Sequence, residues 1–132
     1  MAKKLTLLFG VIFLVVGLLG FIPNPIVGRQ GVFETNAGHD VVHLIVGAVL
    51  LVAWRQGERY ATLSLYSFAG LYLLIAILGF ATVGAQGSGL LLGFLHVNGS
   101  DNWLHLALAL ALGLAGVAAQ GHLPIHRTSP QH

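Results

Sequence analysis

Residues 36–47 read Asn-Ala-Gly-His-Asp-Val-Val-His-Leu-Ile-Val-Gly, and residues 98–109, 62 positions later, read Asn-Gly-Ser-Asp-Asn-Trp-Leu-His-Leu-Ala-Leu-Ala. Each stretch opens with an Asn, a preferred N-cap, and therefore predicts a helix start. Positions three and four apart are neighbours on a helix, so the polar groups of each copy share one face. The residues that we expect to form a polar binding face are Asn36, His39, Asp40, His43, Asn98, Asp101, Asn102 and His105.

The composition places these helices in a membrane. The chain has 132 residues, enough for one domain, and 56% of them are hydrophobic whereas 8% are charged. Soluble proteins carry about 25% charged residues, so most of this surface must face lipid. Four apolar segments, at 5–22, 36–54, 60–83 and about 98–119, are long enough to span a bilayer. The predicted fold class is all-α, a bundle of four transmembrane helices.

The repeated motif predicts that the bundle is built from two tandem helical hairpins. Gly20-Phe21 closes the first apolar segment as Gly79-Phe80 closes the third. We expect one membrane domain over residues 1–132, with repeats at about 5–54 and 60–119 and a tail at 120–132. Its helices would run up, down, up and down, with a two-fold axis along the membrane normal. Segment 90–97 is too short to span and predicts an interfacial helix or a loop packed on the bundle.

The basic residues predict the orientation of the bundle. Those on one side are Lys3, Lys4, Arg55, Arg59 and Arg127, and Arg29 is alone on the other. Because basic loops stay in the cytoplasm, we expect a multi-pass protein of the inner (plasma) membrane with both termini on the cytoplasmic side. Both polar faces would then lie at the outer surface.

Several classes of function are disfavoured by what the sequence lacks. It has no cysteine, which excludes disulfides, thiolate metal sites and a cysteine nucleophile. The net charge of +2 comes from few, scattered residues, which argues against a nucleic-acid partner. No Ser/His/Asp set, phosphate-binding glycine loop or paired-carboxylate site is recognisable, so we expect that the protein is not an enzyme.

The motifs resemble a family of small bacterial four-helix membrane proteins that is known only as a domain of unknown function. The resemblance rests on Gly20-Phe21, on Asn-x-x-His-x-x-x-His-Leu at 36–44 and on Asn-x-x-Asp-Asn-x-x-His-Leu at 98–106. It covers nearly the whole chain and implies a topology but no activity. At position 40 an amide is expected from the resemblance and the chain has Asp40, which adds an acid to the outer face.

The first interpretation of the polar faces is structural. Ionisable residues in membrane helices face the bundle interior and need partners. Asn36 and Asn98 would cap their helices, and His43 and His105 would bond to polar residues of the opposite repeat. Such bonds contribute about 0.6 kcal/mol each and set the register of the helices. This interpretation predicts a structural or auxiliary protein, a subunit of a membrane complex or a homo-oligomer, whose other partner is the lipid bilayer.

A metal site is the second interpretation. Histidines at i and i+4, here His39 and His43, can chelate one ion from a single helix face. The predicted metal ligands are His39, His43, Asp101 and His105, with Asp40 and His96 as further candidates. An imidazole-rich set favours Zn or Cu over Mg.

The third interpretation is haem. His43 and His105 occupy equivalent depths on two helices, as axial ligands in a four-helix bundle do. Gly47 and Ala109, one turn deeper, would leave room for the ring. The sequence favours none of these cofactors over the structural interpretation.

Overall fold

The computed structural model describes residues 1–121, which form four long helices and two small pairs of strands. The elements are α1 (Ala2–Leu19), β1 (Val27–Gly28), β2 (Phe33–Glu34), α2 (Ala37–Gln56), α3 (Glu58–Val83), β3 (Ser88–Leu91), β4 (Leu95–Asn98) and α4 (Gly99–Gln120). All four helices are long and apolar enough to cross a membrane. The predicted four-helix membrane fold is confirmed, and the strands are additions to it. The predicted tail lies, from residue 122 onward, outside the described residues.

Glycines allow α1 to pack closely against α2. A Cβ on Gly47 would lie 2.9 Å from the carbonyl oxygen of Gly10, and one on Gly17 would lie 2.8 Å from Leu44. Because these contacts run in opposite order along the two helices, α1 and α2 are antiparallel. In α3 and α4, a Cβ on Gly116 would meet the ring of Tyr66 at 3.0 Å. Small residues are thus used for close contact within the chain, as is common between membrane helices.

Contacts between α1 and α3 join the pair formed by α1 and α2 to the pair formed by α3 and α4. The Thr6 hydroxyl donates to the carbonyl of Ala61 at 3.2 Å, near the start of both helices. Deeper in the bundle, the rings of Phe13 and Tyr72 lie 5.3 Å apart. The two pairs therefore share one apolar core.

The ends of the first two helices differ from those predicted. Helix α1 ends at Leu19 rather than at residue 22, and the Asn24 amide donates to the Leu19 carbonyl at 2.8 Å. The Asn24 side-chain oxygen also accepts from the backbone N–H of Ile26 at 2.9 Å, so one side chain orders the loop. The sequence predicts a five-residue break between α2 and α3, at residues 55–59. In the structure only Gly57 separates the two helices, and its φ of 118° favours glycine.

Segment 90–97 belongs to a β-hairpin over residues 88–98 that packs on the bundle. Of the two expectations for this segment, the interfacial helix is wrong, and the packed segment is a hairpin rather than an irregular loop. Strands β3 and β4 are antiparallel, and their turn has positive φ at Leu92 and at Gly93. The N–H of Phe94 donates to the Leu91 carbonyl at 3.3 Å, which closes the turn between the two strands. Alternate residues of a strand face the same side. The inner side of the hairpin packs on the bundle through Leu91, Leu95 and Val97.

Candidate metal centre

Both copies of the motif begin a helix with a capping Asn. The side-chain oxygen of Asn36 accepts from the N–H of His39 at 3.0 Å, and that of Asn98 accepts from the N–H of Asp101 at 3.0 Å. The Asp101 carboxylate accepts in return from the N–H of Asn98 at 3.4 Å, which completes a capping box. The predicted caps are confirmed, and they place His39 in the first turn of α2 and His43 and His105 in the second turns of α2 and α4.

The amide groups of the same two Asn residues connect the two halves of the chain. Asn36 donates to the Phe94 carbonyl at 2.8 Å, and Asn98 donates to the Val32 carbonyl at 3.0 Å. Phe94 and Val32 are themselves 62 positions apart. Each cap therefore bonds to the loop that precedes the other cap, in a reciprocal arrangement.

Three of the four predicted metal ligands meet inside the bundle. His39, His43 and His105 each offer a ligand atom, and these atoms all lie within 4.8 Å of one another. The ring centroid of His39 is 4.6 Å from that of His43 and 5.6 Å from that of His105. All three side chains are buried. Asp101 is not in this group, and its carboxylate serves in the capping box.

The hydrogen bonds of the three imidazoles leave nitrogen atoms available for a ligand. His39 Nδ1 lies 2.7 Å from the His96 carbonyl, which can only accept, so Nδ1 carries the proton and Nε2 has a free lone pair. Metal-bound histidines usually donate their second N–H in this way. The Nδ1 atoms of His43 and His105 are buried and have no hydrogen-bond partner among residues 1–121. Such unpaired polar atoms are rare in protein interiors.

A small cavity of about 20 Å³ lies beside the three histidines. Its other lining residues are Val42, Tyr72, Ile75, Leu91, Leu95 and Val97, of which the last three belong to the hairpin. A space of this size holds one water molecule or one ion. It does not hold haem, and Gly47 leaves no room for a ring because Leu14 lies 2.8 Å from where its Cβ would be. The residues therefore fit a metal ion and do not fit a tetrapyrrole.

Asp40 and Asn102 are buried at the same end of the bundle but serve in helix packing. Asp40 lies directly against Gly20, and Asn102 lies directly against Gly79, so a Cβ on either glycine would collide with the polar side chain. The Asn102 amide donates to the Gly84 carbonyl at 2.9 Å. Asp40 and Asn102 belong to the predicted polar faces but not to the three-histidine group.

A second polar cluster, at Glu34, Ser88 and His96, was not predicted. The Ser88 hydroxyl donates to the Glu34 carboxylate at 2.5 Å, and His96 Nε2 lies 2.8 Å from the same oxygen. These two hydrogen bonds, with that of Ser88 the stronger influence, lower the pKa of Glu34 below its ordinary value. Glu34 and His96 are 62 positions apart, so the repeat itself was the signal that could have paired them.

The geometry of this cluster excludes a nucleophilic relay. Ser88 and Glu34 both approach the same ring atom, Nε2 of His96, with Ser88 at 3.0 Å. A Ser/His/acid relay needs the serine and the acid on different ring nitrogens. The His96 side chain is also directed to Glu34, and only its backbone carbonyl reaches the three histidines, so its role as a further metal ligand is not supported.

The family model described as a domain of unknown function (DUF4383) matches residues 3–118. The chain belongs to this family. The match includes both polar motifs, the hairpin and all three histidines of the centre, so the family resemblance expected from the motifs is confirmed. No curated protein matches the chain. No solved structure matches it either.

Proposed function

We propose that this small membrane protein binds one transition-metal ion, Zn or Cu, through His39, His43 and His105. The observation that carries the proposal is the approach of three buried ligand atoms to within 4.8 Å of one another. Nitrogens bound to one Zn ion at 2.0–2.1 Å are about 3.4 Å apart, so closure needs only small ring movements. The ion would be a structural link between α2, which carries His39 and His43, and α4, which carries His105.

The chemistry of the ligand set limits which metal it takes. Three imidazoles and no thiolate favour Zn or Cu over hard cations such as Mg, which prefer oxygen ligands. Asp40 and Asp101 are each 1% exposed and lie outside the ligand group, next to His39 and one turn before His105. Neither carboxylate therefore contributes a ligand atom to the proposed centre. The apolar walls of the cavity leave at most one position for water.

The metal centre would lie at the outer end of a bundle in the inner membrane, with both termini in the cytoplasm. Four of the described basic residues, Lys3, Lys4, Arg55 and Arg59, support this orientation because they lie at the opposite end from the histidines. The helices would then cross the membrane up, down, up and down.

We also infer that the chain is an internal duplication of a helical hairpin. The inference is supported by contacts that repeat at an offset of 62, namely the two caps and their reciprocal amide bonds. It is also supported by the contact of Glu34 with His96, which are 62 positions apart. In this arrangement His43 and His105 are equivalent positions, and His39 corresponds to Asp101. The metal group then takes two ligands from the first repeat and one from the second.

A structural or auxiliary role, as a subunit of a membrane complex or a homo-oligomer, is the second candidate. It is favoured by the size of the cavity, which also suits one water molecule bridging three neutral imidazoles. In either role the protein is proposed to have no catalytic activity. The second candidate predicts a chain that stays free of metal and that migrates as a defined oligomer or purifies with a partner.

Elemental analysis of the purified full chain tests the metal proposal. Adventitious sites are removed by replacing His122, His126 and His132 with Ala, and this background variant is loaded with Zn²⁺ or Cu²⁺ and desalted in detergent. We expect about one ion per chain, as a single three-histidine centre requires. His43→Ala should lose the ion and keep its elution volume in gel filtration. A metal-free background protein at saturating Zn²⁺ and Cu²⁺, or full occupancy in folded His43→Ala, would overturn the proposal.

A further inference from the structure

The end of the bundle opposite the histidines carries a cluster of positive charge. Arg55 and Arg59 flank the turn between α2 and α3. The one acid at this turn, Glu58, accepts from the backbone N–H of Lys3 at 3.2 Å. Within residues 1–121, Arg59 forms no ion pair with a carboxylate. Its charge is therefore available for an anion at the level of lipid headgroups.

A groove between the start of α3 and the end of α4 leads away from Arg59. It has a volume of about 290 Å³ and is lined by Arg59, Thr62, Leu63, Tyr66 and Gln120. Thr62 is only 7% exposed, and within the described chain its hydroxyl has no hydrogen-bond partner. A buried hydroxyl without a partner costs free energy, and a ligand oxygen in the groove would recover it if the Thr62 side chain rotated to turn its hydroxyl outward.

A second groove lies on the other side of Leu63, between α2 and α3. Its volume is about 300 Å³, and most of its lining is apolar, from residues such as Val49, Val52, Tyr60 and Phe68. Leu63 lines both grooves and is 59% exposed, so it stands as a ridge between them. Two grooves on either side of Leu63, one of which is lined by Arg59, match the two acyl chains and one phosphate of a phospholipid.

We propose that this end of the protein binds one anionic diacyl phospholipid. Its phosphate lies against the Arg59 guanidinium and accepts a hydrogen bond from the Thr62 hydroxyl, which rotates toward the groove when the lipid binds. One acyl chain lies in the α3–α4 groove and the other in the α2–α3 groove, with Leu63 between them. The lipid and the metal ion would occupy opposite ends of the bundle, so this site does not depend on the metal centre.

Native mass spectrometry of the full chain released from nanodiscs tests the site. The discs contain either phosphatidylglycerol or phosphatidylcholine, and retained lipid is counted after mild activation. We expect one phosphatidylglycerol to be retained in preference to phosphatidylcholine. Arg59→Gln should weaken retention about fivefold, which corresponds to ~1 kcal/mol for one basic residue at an anionic surface. Arg55→Gln is the matched control, because Arg55 lies at the same turn but lines neither groove.

Thr62→Val separates a specific site from general attraction to charge. Valine has nearly the shape of threonine and no hydroxyl, so retention should fall although the net charge is unchanged. Inorganic phosphate added during release distinguishes a lipid site from a phosphate site, since free phosphate should compete poorly without acyl chains. Equal losses in Arg55→Gln and Arg59→Gln, unchanged retention in Thr62→Val, or full displacement by phosphate would each overturn the proposal.

Discussion

Replacing Gly47 with Ala should destabilise the protein by forcing α1 away from α2. The added Cβ would lie 2.8 Å from Leu14 Cγ and 2.9 Å from the backbone carbonyl oxygen of Gly10. Leu14 can change its rotamer, but the carbonyl belongs to a helix and moves only with α1. The ring centroid of Phe13 in α1 lies 5.9 Å from that of His43, so displacement of α1 would also disturb the histidine group.

The size of this effect follows from two opposing contributions. Overpacking of a tight contact costs about 1–3 kcal/mol. Alanine is favoured over glycine inside a helix by about 0.5–1 kcal/mol, which offsets part of that cost. We therefore expect Gly47→Ala to lower the free energy of unfolding by about 1 kcal/mol, the difference between the middle values of these two contributions. Gly70→Ala is the matched control, because a Cβ at Gly70 meets nothing within 4 Å and only the helical preference remains.

Unfolding in mixed micelles, followed by circular dichroism as the fraction of denaturing detergent rises, measures both variants. The midpoint for Gly47→Ala should fall below that of the wild type, and the midpoint for Gly70→Ala should equal or exceed it. If the midpoints of both variants shifted in the same direction by similar amounts, the inference that Gly47 is needed for the close contact between α1 and α2 would be refuted.

Two further predictions concern the hairpin end. Because the Ser88 hydroxyl and then the His96 ring lower the pKa of Glu34 from its ordinary 4.5, ionised Glu34 stabilises the fold above about pH 4.5, and this contribution is lost as the pH falls through its lowered value. The difference in melting temperature between the wild type and Glu34→Gln should therefore become smaller as the pH is lowered from about 6 to about 3. A difference that stays constant over this range would refute the stabilising role of ionised Glu34. Bound Zn²⁺ should slow hydrogen exchange in β3 and β4, because the His39 ring bonds to the His96 carbonyl. Exchange that is unchanged in the hairpin of a metal-loaded chain would contradict that coupling.

Much of the fold was predictable because lipid imposes simple rules on sequence. A helix that crosses a bilayer must be apolar over its whole length, so composition alone located α1 to α4. The caps were predictable for a local reason, since Asn36 and Asn98 bond to N–H groups three residues away. The pairing of His39 with His43 follows equally from helical spacing.

The hairpin was missed because its pattern is hidden in the sequence. Leu90, Leu91 and Leu92 are three apolar residues in a row, so the alternation that marks a strand is absent. The turn also contains Leu92 at a φ of 54°, a conformation that bulky residues rarely adopt. This turn is stabilised by tertiary contacts, because Leu91 is buried against residues of α2 and α3.

By itself the sequence determined the apolar character of the four helices and the Asn caps of α2 and α4, because each depends on residues close along the chain. Tertiary structure alone decided that His105 joins His39 and His43, that Asp101 is used as a cap, and that Glu34 meets His96. Those choices depend on where α2, α4 and the loops meet in space, and contacts between distant segments are set by the packing of the whole bundle.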